Sequence, residues 1–387
     1  MSIAREMRMH NLNKTAAVIA EKLKHQADVL VFKPVFECRD ALLEEICLAV
    51  GGRILCLLPC TPNATYRQTL DGGNRFFLRE TLPPEEIETC LRNIVKNEHC
   101  VLFASVSMLK EDNLTNLLNE VPFCAVLLFH AERTSPLLSH FDKRLRLLCD
   151  LRSELSYTLP LCAFCQTDQS AILRDITVTL NMKTPARIYP PNDIADVKLT
   201  STQTEQPVPL FENLVRTEHM ERALVFCTDR QKAEDAYRYF RFFGYRCALS
   251  HAGLPFEQRR KAVDRFCAGE TDFLFTTSFY QNGFCTKPYK TVCIGFACDL
   301  FLLAGVAHTD SDIFIYFSQD DITQNIYRIE EDNEIRASYT NLPAFRLKQE
   351  RMLLLQQAQA AIQSNIAPFA FFSEQLPHIY ATNSEKE

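Results

Sequence analysis

The stretch ILCLLPCTPNATYRQT, residues 54–69, sets an apolar run against a short polar loop. A buried parallel strand enters a phosphate-binding loop in that way. Such a loop works through glycines, whose amides wrap phosphate oxygens, and a lysine that meets their charge. Neither residue type occurs in residues 59–69. Two cysteine pairs, Cys56 with Cys60 and Cys162 with Cys165, have the close spacing of metal ligands. Structural zinc takes four ligands, commonly as two such pairs. Cys162 lies in a strand-like run, LPLCAF, with no second pair matched to it, so no metal is expected. No Gly-x-Ser-x-Gly elbow and no pair of histidines at helical spacing offers another hydrolytic chemistry.

The elements that would position these residues alternate. Apolar runs at 54–59, 101–105, 124–129, 159–164, 222–227, 246–250, 272–277, 290–296 and 312–317 read as buried strands. Amphipathic segments between them read as helices, among them 83–97 and 229–244, the second ended by Gly244. This is the pattern of α/β parallel sheets. The stretch TSTQTEQPVP, 200–209, is polar, carries two prolines and reads as a linker. The expected organisation is an N-terminal helical extension over 1–29, a first α/β domain over 30–199, the linker, and a second α/β domain over 210–335. A helical C-terminal tail over 336–387 follows, with its helix at 346–363.

The 387 residues leave room for two or three domains, and 47% hydrophobic with 23% charged residues describes a globular chain. A net charge of −6 provides no global basic field for nucleic acid, although a local groove can still be basic. The sixteen cysteines sit mostly inside apolar runs, where a free thiol behaves as a small hydrophobe. No apolar leader and no span of about 18 apolar residues is evident. A reducing cytoplasm and no membrane are expected.

The second half carries a signature. RALVFCTDR, then RCALSHAGL, then FLFTTSFYQNGFCTKPYKTVCIGF resembles the second RecA-like domain of RecQ-family DNA helicases of superfamily two. His251, Ala252, Gly253 and Leu254 match the family's His-Ala-Gly-Leu. Gly283, Lys287 and Pro288 match its Gly-Met-Gly-Ile-Asn-Lys-Pro motif, with about one residue inserted before them. In the first half, FKPVFECRDAL (32–42) looks like the family's opening motif, and LPLCAFCQTDQSAILRDI (159–176) follows its Thr-Ala-Thr-Ala stretch. The resemblance implies two tandem RecA-like parallel-sheet domains with a helical C-terminal segment.

Laid on that family, the nucleotide site is vestigial. The family's Thr-Gly-Gly-Gly-Lys-Ser falls on Cys60, Thr61, Pro62, Asn63, Ala64 and Thr65. Alanine replaces the lysine, proline removes an amide donor, and only Thr65 keeps a hydroxyl. Phe36 stands where the family reads adenine with glutamine. The Asp-Glu-Ala-His box falls on the strand CAVLLF and His130-Ala131-Glu132-Arg133, with Glu132 fitting only by a slip of register. The Thr-Ala-Thr-Ala motif falls on Cys165, Gln166, Thr167 and Asp168. No arginine occurs between Arg265 and Arg328, where the family sends arginines to the γ-phosphate. The four-cysteine zinc platform and winged helix that follow the family's core have no counterpart after Cys298, and the helix 346–363 looks like that platform's opening helix without its metal.

The resemblance therefore implies a helicase-shaped protein that hydrolyses no ATP and unwinds nothing. ATP and magnesium enter only under the alternative, an ATP-dependent 3'–5' DNA helicase with an aberrant site. The expected partners are single-stranded or tailed duplex DNA, with Arg230, His251 and Lys287 as candidate contacts, or a protein held on a scaffold. His251 reads equally well as a residue that shapes its own turn. The interleaved run Tyr237-Arg238-Tyr239-Phe240-Arg241 could stack bases, but its helical spacing favours aromatics packed on the sheet with arginines in water.

Overall fold

A computed structural model describes residues 3–32, 39–58, 74–78, 82–189, 199–277, 289–297 and 312–364. The described residues form two compact units, one of residues 3–136 and 140–189, the other of 137–139 and 199–364.

The first unit is built on a seven-stranded sheet: β1 (Val29–Phe32), β2 (Arg53–Leu58), β3 (Arg75–Leu78), β4 (Cys100–Ser105), β5 (Ala125–Leu128), β6 (Leu161–Cys165) and β7 (Ala186–Ile188). Its order is β3-β4-β2-β5-β6-β1-β7, and every neighbouring pair is parallel. Helices α1 (Ile3–Lys24), α2 (Arg39–Val50), α3 (Pro84–Lys96), α4 (Asp112–Glu120), α5 (Arg146–Glu154) and α6 (Ser170–Thr179) accompany it. A parallel sheet covered on both faces reads as continuous apolar runs, and every residue of β1, β4, β5 and β6 is buried. Within the expected N-terminal extension, α1 packs against α2 and the sheet.

The second unit has six parallel strands: β8 (Leu199–Gln203), β9 (Ala223–Cys227), β10 (Cys247–Ser250), β11 (Phe273–Thr276), β12 (Lys290–Ile294) and β13 (Ile313–Phe317). Their order is β10-β11-β9-β12-β13-β8. Its helices are α7 (Pro207–Thr217), α8 (Arg230–Phe242), α9 (Phe256–Ala268), α10 (Gln319–Ala337) and α11 (Ala344–Ser364). Phe211, Phe240, Phe273 and Phe275 meet in its core, with Phe211 stacked on Phe240 at 5.0 Å.

One expected boundary needs correcting. Residues 200–209 are not a linker: Thr200–Gln203 pair with Phe314–Phe317 as part of β8, and α7 begins at Pro207. The stretch is polar because β8 is an edge strand with only Leu199 buried. Pro207 suits the first turn of a helix, where its missing N–H costs nothing. The terminal helix α11 packs on α10 and β8, and Ser201 donates its hydroxyl to the Ile362 carbonyl at 2.9 Å.

Candidate nucleotide and nucleic-acid sites

In open parallel sheets, ligands bind beyond the carboxyl ends of the strands. Of the residues that sequence reasoning assigned to the nucleotide site and to nucleic-acid contact, Phe36, Cys60, Thr61, Ala64, Thr65 and Lys287 lie outside the described residues.

His130 and Ala131 are described, and they build a clasp. Beyond β5, Phe129 donates its N–H to Leu57 and stacks on Phe164 with ring centroids 4.7 Å apart. His130 then takes a left-handed conformation, φ +57°, and the chain turns through a 3₁₀ segment, Ala131–Thr134. That turn swings Glu132 back into the protein, where it is fully buried. Its Oε1 lies 3.0 Å from His130 Nδ1, and its Oε2 accepts the Gln166 N–H at 3.3 Å. Both carboxylate oxygens are therefore engaged, one tying its own turn and the other the end of β6. Burial first, then the nearby Glu132 charge, pushes the Cys165 thiol well up. Around the clasp, Thr134 donates to the Ala131 carbonyl at 2.8 Å and Ser135 to Asp175 at 2.5 Å. Sequence reasoning weighed Glu132 only as a displaced catalytic acid. Its bond to a residue 34 positions away has no signal in spacing.

Below this clasp, Asp142 accepts from Arg133 at 3.0 Å and from Arg144 Nη2 at 2.7 Å. Burial works to raise its pKa, but the bonds from Arg144 and the charge of Arg133 outweigh that and hold it below the usual carboxylate range. Cys162 and Cys165 are buried in β6, and no group of three or more metal-ligating side chains occurs among the described residues.

The second unit brings two of its three candidates together. Asp229 caps α8 by accepting the Lys232 N–H at 2.8 Å, which leaves Arg230 exposed at the first turn. The turn after β10 lies alongside, and a Cβ built on Gly253 would stand 3.1 Å from the His251 ring and 3.4 Å from Arg230 Nη1. His251 itself is buried. Its Nδ1 accepts the Gly253 N–H at 3.1 Å. Nε2 faces Glu234 Oε1 at 3.3 Å, an ion-pair distance off the line of a good hydrogen bond. His251 thus shapes its own turn. The groups it leaves exposed to a ligand are Arg230 and the backbone at Ala252 and Gly253.

Two further features were missed in the sequence. Lys232 bridges Asp229 at 3.0 Å and Asp321 at 2.5 Å, and Asp321 forms a capping box with Ser318 at the start of α10. Burial works to lower the Lys232 pKa, but bonds to Asp321 and Asp229 raise it above the ordinary lysine value. Burial likewise works to raise Asp229, and the bonds from Lys232 hold it low. Gly295, at φ +105°, carries no side chain because a Cβ there would lie 2.2 Å from Thr228 Oγ1. These contacts join the carboxyl ends of β9, β12 and β13. The run Tyr237–Arg241 packs as its helical spacing suggests: Phe240 is buried in the core, and Arg238 pairs with Glu234 and Asp235.

Residues 206–298 match the helicase conserved C-terminal domain. Over 79 residues the chain is 29% identical to the ATP-dependent RNA helicase RhlB of Vibrio campbellii, and 28% to that of Vibrio parahaemolyticus. These matches cover 20% of this chain and only 18% of the relatives' length. Among solved structures, the DEAD-box helicase Mss116 bound to ssRNA and UDP-BeF has TM-score 0.61 at 11% identity, covering 96% of this chain and 85% of that one. The DUF1998 helicase MrfA bound to DNA has TM-score 0.56 at 10% identity, covering 96% and 58%. S. cerevisiae Dbp5 bound to Gle1 and IP6 has TM-score 0.51 at 11% identity, covering 85% and 88%. The fold is that of a tandem RecA-like helicase core, and the family match lies within its second unit.

Proposed function

We propose that this protein keeps the shape of a helicase core and a nucleic-acid contact on its second unit, without ATP hydrolysis or unwinding. It acts as a nucleic-acid-binding factor, or as a scaffold for another protein. The observation that carries this reading is the Glu132 clasp. At the turn where the resemblance to RecQ helicases expects carboxylates free to hold magnesium and orient water, the carboxylate present has both oxygens engaged inside the protein. The sequence adds Ala64 at the lysine position and no arginine between Arg265 and Arg328. Phosphoryl transfer relies on such charges, and an arginine finger alone is worth about 10³–10⁵ in rate.

Arg230 and the Gly253 turn support the nucleic-acid side of the proposal. The similarity to RecQ helicases favours DNA, whereas the names of the curated relatives favour RNA, so both belong in the test. The experiment is equilibrium binding of single-stranded DNA, tailed duplex DNA and single-stranded RNA across a salt series. Phosphate contacts make affinity fall steeply with salt. The expected result is salt-dependent binding weakened at least fivefold by Arg230→Ala with Lys287→Ala. Absence of binding at about 50 mM salt, where phosphate contacts are strongest, overturns the nucleic-acid reading and leaves the scaffold.

A further inference from the structure

The second sheet has two edges, and they are treated differently. At β8, the Ser201 side chain is tied to α11. At β10, among the described residues, the edge is open. The Arg246 carbonyl accepts from Asp272 and Phe273 at 2.8 and 3.2 Å, and the Ser250 carbonyl accepts from Thr277 at 3.3 Å, all toward β11. A strand alternates its direction of bonding. The N–H and C=O of Cys247 and Leu249 therefore point away from β11, and no described residue bonds them. Neither proline nor charge blunts the strand, although these are common protections of an edge.

The wall beside this edge has a definite character. The side chains of Cys247 and Leu249 pack on the core with Tyr237 of α8. Arg241, one turn further along α8, is exposed, with its guanidinium 5.7 Å from the Tyr237 ring centroid and Nη1 donating to the Tyr237 hydroxyl at 3.2 Å. Its neighbours are committed, Arg238 to Glu234 and Asp235, and Arg246 to Asp272. Among the described residues, Arg241 makes no ion pair. Its charge also reaches the edge: burial, then the Asp272 charge, raises the Cys247 thiol to about 12, and Arg241 acts against that rise.

We infer that the outer edge of β10 is a docking site for an extended, acidic peptide segment of a partner protein, which adds as a further strand with a carboxylate on Arg241. The bonding groups of Cys247 and Leu249 match a peptide backbone in period and kind. A nucleic acid offers no such alternating ladder. This inference deepens the scaffold reading by naming the chemistry of the partner. Its readout is peptide binding that depends on Arg241, not ATP turnover or the binding that depends on Arg230 and Lys287, so its failure is distinct from failure of the proposed function.

The test presents random octapeptides to the full chain and measures selected binders by fluorescence anisotropy. Selection should enrich Asp and Glu at alternate positions. N-methylating one alternate set of amides should weaken binding at least tenfold, and the other set less than twofold. Arg241→Ala should weaken it at least fivefold. Leu249→Pro removes an outward donor at an edge, where proline is tolerated, and should abolish binding; Arg241→Glu gives the same reading should that variant fail to fold. Lack of acidic enrichment, indifference to N-methylation, or single-stranded RNA bound in place of peptide at the Arg241-dependent site overturns the inference.

Discussion

Glu132 ties two elements of the first unit together. A carboxylate that is fully buried and bonded through both oxygens acts as mortar between β5 and β6. Glu132→Ala removes the carboxylate partner of His130 Nδ1 and of the Gln166 N–H. With about 1–3 kcal/mol for each of the two lost bonds, the expected loss is roughly 2–6 kcal/mol in urea unfolding. Glu132→Gln keeps one acceptor and should lose less. Neither variant should alter nucleotide turnover, whereas a catalytic acid would betray itself by a large fall. Gly295 sets the second residue-scale prediction. Gly295→Ala forces a Cβ onto Thr228 at a left-handed φ, and overpacking with backbone strain should together cost more than about 2 kcal/mol. Pairing it with Thr228→Ala should recover part of that loss.

Among the elements, legibility followed burial on both faces. The apolar runs marked β2, β4, β5, β6, β9, β10, β11, β12 and β13 because most of these strands are covered above and below. Three of the four missed strands, β3, β7 and β8, are edges, and none reads as a buried apolar run. The fourth, β1, is an interior strand, fully buried and as apolar as those that were read. The Lys232 clasp was equally hidden, since it joins α8 to α10 across 89 positions. It predicts a definite pH response. Asp229 has a lowered pKa in the fold, so its stabilisation is present above the unfolded aspartate value of about 3.9 and is lost as pH falls through the lower folded value. Lys232 has a raised pKa, so its share is present below about 10.4 and is lost as pH climbs through the higher folded value. Lys232→Met should leave the buried Asp321 without its cation and cost about 2–3 kcal/mol near neutrality, somewhat under the usual range for a wholly buried pair. It should also flatten both limbs of the stability–pH curve, which thermal melts from acid to alkaline pH would measure.

At the scale of the whole molecule, the parallel α/β architecture was legible in the alternation of runs and its RecA-like character in the resemblance of the second half, while the chemistry was legible only as departures from a motif set. Fold alone does not fix function, and the solved structures that share this fold do so at 10% and 11% identity. ATP should therefore leave the melting temperature unmoved at millimolar concentration. A ligand at 100 times its dissociation constant would add about 2.7 kcal/mol, a shift that differential scanning fluorimetry resolves easily. The central claim, that this helicase-shaped chain has no phosphoryl-transfer chemistry, is met most directly by steady-state phosphate release from ATP with magnesium, with and without single-stranded DNA or RNA. The account predicts a rate equal to the no-protein background under every condition. Magnesium-dependent turnover that nucleic acid stimulates and Thr65→Ala abolishes would contradict it.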